Sequence, residues 1–245
     1  MTHKTLLSTV AALVLTSAVG SKISANDGAY QVVSPNGRLY ATVVVGSDIT
    51  YTVALDTLQL LAPSRISMTL SDGIIFGQDD KVRKVRKDSR DQVWQATAYK
   101  KAEVRDNYNE MSLEFKEFTL TFRAYDEGVA YRFKSNLKGD FNVIAENAEF
   151  AFAQDWNAYI PYVRQHTETL QSQYYNSFEN THVVHPVSEW NKERLAFTPI
   201  AVAADNGVKV LITDADLVNY PGMFLYNDGA DAVLTARFAP YPKTV

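Results

Sequence analysis

From Gly28 onward, apolar and polar residues alternate with a period of two in one short run after another, the repeat of a half-buried β-strand. Gln31 to Val33 and Arg38 to Val45 flank Ser34-Pro35-Asn36-Gly37, where proline presets one dihedral and glycine permits positive φ. Ile49, Tyr51, Val53 and Leu55 alternate with Thr50, Thr52 and Ala54, and Ile66, Met68 and Leu70 repeat the pattern before Asp72-Gly73. Met111, Leu113 and Phe115 form the next set. Phe118, Leu120 and Phe122 then lead through Asp126-Glu127-Gly128 into Val129, Tyr131 and Phe133, a predicted hairpin. Phe141 to Phe152 is less regular but rich in apolar residues. No long run has helical spacing, and there are no heptads, repeats or low-complexity tracts. The pattern predicts an all-β chain of packed antiparallel sheets.

Phe197 to Met223 gives the pattern its one chemical oddity. Asn206-Gly207 favours a type I′ turn between two strands, and Val208, Val210 and Ile212 share one face of the second. The next two positions on that face are Asp214 and Asp216. A carboxylate carried inward is costly unless a cation, an arginine or a metal pairs with it. The other reading ends the strand near Thr213 and places both aspartates on a solvated loop.

Two segments break the alternation. Asp79 to Asp91 carries six basic residues flanked by acids, which reads as a solvated edge strand or loop, since lysine protects sheet edges from pairing. Val163 to Glu193 is polar and aromatic, with His166, Tyr174-Tyr175, His182, His185 and Trp190, and reads as a helix or a long loop.

Composition then sets the compartment. Met1 to Lys4 is a short positive start, and Thr5 to Gly20 is almost wholly apolar or small, with small-residue cleavage sites near Gly20 and Ala25. Residues 1–25 are expected to be a secretory signal peptide rather than a membrane anchor, because the run is shorter than the roughly 20 residues a span needs. Removing them takes away Lys4 and Lys22 and no acid, leaving 22 basic against 28 acidic residues. That balance argues against nucleic acid or an anionic membrane as partner. The chain has no cysteine, so its stability has to come from its core. The combination fits secretion across an inner membrane, with the periplasm as the expected location.

Candidate chemistry is sparse. His166, His182 and His185 lack a zinc-ligand spacing, and no nucleophile elbow or phosphate-binding glycine loop is present. Acids alone can hydrolyse a glycosidic bond, but Asp126-Glu127 reads as a turn and Glu146 with Glu149 as a solvated rim. Trp94, Trp156 and Trp190 could stack on sugar rings, although at least two of the three are expected in the core.

An ordered series of motifs narrows the field. It comprises Ser34-Pro35-Asn36-Gly37-Arg38-Leu39, Ala62-Pro63-Ser64, Tyr108-Asn109-Glu110, Phe122 to Phe133 (FRAYDEGVAYRF), Phe197-Thr198-Pro199, Ile212 to Leu217 (ITDADL) and Tyr220-Pro221-Gly222-Met223. With these the chain resembles the N-terminal domain of glycoside hydrolase family 97, a family of retaining and inverting α-glucosidases and α-galactosidases. The resemblance implies a β-supersandwich of two large antiparallel sheets, of the galactose-mutarotase kind, over residues 28–245. It also implies a partner, a catalytic (β/α)₈ barrel in the same protein, and an α-linked oligosaccharide as substrate. In the family the barrel carries the catalytic carboxylates, so no catalytic residue is assigned in this chain, which stops where the link to the barrel would begin and is expected to be a fragment. The sandwich contributes one acidic ligand to an active-site calcium, and the matching position is Asp214. The family commonly has glutamate there; the shorter aspartate implies a closer backbone, a bridging water or an altered metal site. Asp216 has no such role. Two other readings are a free-standing carbohydrate-binding module and a mutarotase-like enzyme, the latter requiring His182, His185 and a glutamate to converge.

Overall fold

A computed structural model describes residues 28–164, 169–177, 179–229 and 231–240. The expected signal peptide, His166 and the last five residues lie outside the described residues. Among the described residues seventeen strands form: β1 Gly28–Val33, β2 Leu39–Val45, β3 Ile49–Leu55, β4 Leu58–Leu70, β5 Ile75–Phe76, β6 Lys84–Gln95, β7 Glu103–Glu114, β8 Phe118–Tyr125, β9 Gly128–Ser135, β10 Val143–Ala151, β11 Asn157–Ile160, β12 Val183–Pro186, β13 Ala196–Phe197, β14 Ile200–Ala203, β15 Lys209–Ile212, β16 Met223–Tyr226 and β17 Val233–Phe238. Among the described residues the only helical turns are three short 3₁₀ segments, and no helix is long and apolar enough to cross a membrane.

The strands make three antiparallel sheets. Nine form one sheet in the order β1-β2-β3-β4-β10-β17-β16-β13, with β5 on β4; the other two sheets are β6-β7-β8-β9 and β12-β11-β14-β15. The period-two reading is borne out residue by residue: β2, β3 and β8 alternate strictly between buried and half-buried positions over most of their length. Ala41, Val43, Ile49, Leu113, Leu120 and Phe122 are fully buried on one side, and the intervening threonines remain on the other. The β6–β9 sheet lies over the β3 and β5 region of the large sheet. Tyr51 meets the rings of Phe122 and Tyr131 at 5.7 Å, and Phe76 stacks on Phe118 at 4.7 Å. Ala158, Ile160, Ile200, Val202 and Ile212 of the third sheet join the same continuous core as Leu225, Leu234 and Ala236 of β16 and β17.

The segments outside the alternation resolve as follows. The basic run enters β6, an edge strand exposed along nearly its whole length, with Arg86 paired to Glu114. The described residues of Val163 to Glu193 are mostly irregular, with 3₁₀ turns at Gln171–Tyr175 and Val187–Glu189 and the short β12 between them. Its anchor is the buried Gln173, whose amide nitrogen donates to the Glu193 carbonyl (2.6 Å) and whose oxygen accepts from the Leu195 backbone (2.9 Å). A single polar side chain that satisfies two buried backbone groups leaves no hydrophobic period to read.

Candidate functional site

The β14–β15 hairpin turns at Asn206-Gly207 with φ of 55° and 77°, the two positive values a type I′ turn demands. β15 ends at Ile212, so the aspartates lie on the loop that follows, as one of the two readings held. The solvated half of that reading applies only to Asp216. Asp214 is half-buried and both its oxygens are engaged: Oδ1 accepts from the Thr198 hydroxyl (3.1 Å) and Oδ2 from the Met223 backbone (2.9 Å). It thereby joins the start of the loop to the start of β16 and to the turn before β14.

Two further contacts tether the loop. Asp216, exposed and in the left-handed region (φ 57°) that aspartate tolerates better than most residues, pairs with Arg132 of β9 at 3.2 Å. Tyr220 donates its hydroxyl to Glu146 of β10 and packs edge-on against Phe238. Glu146 is therefore not on a solvated rim. It is half-buried, and that partial burial raises its carboxyl above the ordinary glutamate range, while the Tyr220 hydrogen bond acts in the opposite direction. Glu149 is not free either: it pairs with Arg65 at 3.3 Å and accepts from the Arg65 backbone (3.1 Å). Sequence parity carried a signal for Glu146, which shares its face of β10 with the buried Ala148 and with Phe150. Arg132 and Tyr220 stood inside quoted motifs without a role.

An open groove of about 1860 Å³ is lined by residues of β6 to β9, of β15 and of the loop that follows it. Its floor is Tyr51, Leu61, Met68, Glu146, Ala148 and Phe150, and the Asp214 loop forms one wall. Tyr131 and Tyr51 are held far toward the neutral phenol by burial, and Tyr51 donates to the Glu149 carbonyl (3.0 Å). A glutamate whose pKa is raised on folding binds its proton more tightly in the native state. Its contribution is therefore present below the unfolded pKa and is lost as pH rises through the folded value. Glu146→Gln is expected to remove that loss, so that stability measured by urea unfolding falls less between pH 4 and 7 than in the parent chain.

The histidines do not assemble. His182 is exposed, while His185 has one ring nitrogen at 3.2 Å from the Tyr162 hydroxyl and the other at 2.8 Å from the Pro186 carbonyl. Among the described residues no group of three or more histidines or acids could hold a metal. The convergence a mutarotase-like site requires is thus missing from the described histidines. Trp156 and Trp190 are core residues, as expected, and of the three tryptophans Trp94 alone is exposed.

Calcium takes six to eight oxygen ligands. Asp214 can supply one carboxylate, each oxygen of which keeps acceptor capacity after one hydrogen bond. One carboxylate falls short of that number, and among the described residues no further group of acids or histidines completes it.

A family model described as Glycosyl-hydrolase 97 N-terminal matches residues 32–242. The chain belongs to that family. Over 217 residues it is 40% identical to the retaining alpha-galactosidase of Bacteroides thetaiotaomicron, a match that covers 87% of this chain and 33% of the relative. In fold this glycosyl-hydrolase 97 N-terminal domain superposes on a Glycoside Hydrolase Family 97 enzyme from Pseudoalteromonas sp. strain K8 in complex with acarbose, with a TM-score of 0.72 at 22% identity, over 86% of this chain and 32% of that one. A crystal structure of beta-arabinopyranosidase gives a TM-score of 0.73 at 21% identity, over 86% and 35%. The chain thus spans about a third of the length of the relatives it matches, and the resemblance carried by the motif series is borne out at the level of family and fold.

Proposed function

We propose that this domain is the non-catalytic sandwich of a calcium-dependent α-glycosidase, acting on α-linked glucosides or galactosides after secretion to the periplasm. It packs on the (β/α)₈ barrel of the longer protein and presents Asp214 to a calcium ion whose other ligands the barrel holds. The observation that carries the reading is the Asp214 loop, fixed by three separate tethers beside an apolar surface. On the outer face of the third sheet Val184, Tyr159, Ala201 and Leu211 lie side by side across all four strands. Leu211 is 61% exposed, Val184 53% and Tyr159 41%, and Leu217 and Val218 extend the exposed apolar surface into the loop. An apolar row that crosses a whole sheet is the kind of patch that marks an interaction face.

The test joins residues 26–245 to the unmatched two-thirds of the Bacteroides relative. Hydrolysis of an aryl α-galactoside, abolished by chelation and restored by calcium, supports the reading. Calorimetric calcium affinity that is unchanged by Asp214→Ala overturns the ligand assignment. On its own, residues 26–245 is expected to self-associate through the apolar row. Leu211→Lys with Val184→Lys should shift it toward monomer in sedimentation without lowering its stability by more than about 0.5 kcal/mol, as for other surface changes.

A further inference from the structure

We infer that β6 is a self-pairing edge, through which two copies of this chain join their four-stranded sheets across a two-fold axis at Ser89. β6 ends the β6-β7-β8-β9 sheet and pairs with β7 from Lys84 to Gln95 without a register shift. Its outer side has no neighbour among the described strands, and every residue of it but Gln92 is exposed. β8 reaches only as far as Tyr108 of β7, so Asp91–Gln95 and Glu103–Asn107 run on as a two-stranded ribbon. Such a ribbon is marginal in water on its own. An unpaired edge also offers its N–H and C=O groups to another strand.

The occupant follows from the strand's own charges. In a two-fold antiparallel pair one residue lies opposite its own copy, and residues equally far before and after it face each other. With Ser89 on the axis, Lys87 meets Asp91 of the second copy and Asp88 meets Arg90, each contact made twice. Val85, 39% exposed, meets Val93, 54% exposed, and Lys84 meets Trp94, where a cation over an indole is favourable. Directly opposite side chains share a face, so each of these pairs interacts. Centring the pair on Arg86, Lys87, Asp88, Arg90 or Asp91 instead sets that charge against its own copy, and axes nearer the ends shorten the pair. The charges that keep other strands off this edge therefore admit one long register of the edge with itself.

Within one copy these charges are unmatched. Among the described residues Lys87, Asp88 and Arg90 form no ion pair, and Asp88 lies opposite Glu110 of β7, a like-charge position. Arg123 of β8 pairs with Glu110 at 2.7 Å, which leaves Asp88 for the second copy's arginine. β6 belongs to a different sheet from the apolar row, so the inference stands apart from the proposed barrel contact.

The test uses residues 26–245 carrying Leu211→Lys and Val184→Lys, so that the apolar row does not contribute. Sedimentation equilibrium should show a monomer–dimer equilibrium. Asp88→Lys or Arg90→Glu, added singly, sets like charges opposite each other and should weaken the dimer at least about tenfold. An equimolar mixture of the two variants should recover the parent's affinity, because each copy then supplies the charge that the other lacks. Recovery requires these two positions to face each other between copies, which a purely structural effect could not give. A monomer throughout the concentration range overturns the inference, as do single variants that dimerise like the parent or a mixture that does not recover. Should a variant fail to fold, amide hydrogen exchange on the parent decides. β6 amides that slow as concentration rises support the pair, and unchanged ones overturn it.

Discussion

Phe118→Ala is expected to cost about 3–5 kcal/mol of stability, the usual loss for a fully buried aromatic side chain. Phe118 has no exposed surface and lies at the centre of an aromatic cluster, with ring centroids at 4.3 Å to Phe115, 4.7 Å to Phe76 and 5.6 Å to Phe133. These neighbours come from the turn before β8, from β5 and from β9, so truncation loosens the contact between the β6–β9 sheet and the nine-stranded sheet. The cost includes the cavity as well as the lost transfer energy, because rings held by two different sheets cannot collapse together. Urea unfolding of residues 26–245 measures it. Phe118→Leu, which keeps part of the volume, should lose clearly less; equal losses would mean that the site tolerates neither shape and that strain, not cavity, sets the cost.

That cluster also shows what the sequence made legible. Phe118, Leu120 and Phe122 announce their shared face by spacing alone, because a hairpin with one wet side has to alternate. The turns at Ser34–Gly37 and Asn206-Gly207 are equally local, since proline and left-handed residues act on their own backbone. Strand order is not local. Nothing in β10 says that it lies between β4 and β17, and its register with β4 shifts between Val143 and Ala145, which blurs the alternation.

The site divides along the same line. Asp214 stood out because it followed an apolar face, and the motif match gave it a ligand's role. Its present partners, the Thr198 hydroxyl and the Met223 amide, come from 16 and 9 residues away and from opposite directions along the chain. Glu146 and Tyr220 are 74 residues apart. A half-buried carboxyl with a distant phenol partner has the same sequence signature as an exposed one, and only its parity with Ala148 hinted at its partial burial.

Two substitutions separate what Asp214 does for this chain from what it does for an ion. Asp214→Ala removes both acceptors and leaves the Met223 N–H without its partner; with hydrogen bonds to a charged group worth about 1.5–3 kcal/mol, the loop connection should weaken by that order. Asp214→Asn is different. Its amide oxygen can keep the Met223 N–H, and its nitrogen can donate to the Thr198 oxygen, which is itself 3.5 Å from the Met223 carbonyl. Stability should then stay within about 1 kcal/mol of the parent. The charge is nevertheless gone, and calcium prefers carboxylate oxygens. In the longer enzyme both variants should therefore lose calcium affinity, whereas in residues 26–245 alone only Asp214→Ala should lose substantial stability. If Asp214→Asn binds calcium as tightly as the parent, the carboxylate serves only to tether the loop to β16. If Asp214→Ala leaves unfolding unchanged, the tether carries no energy and the ion is the reason for the acid.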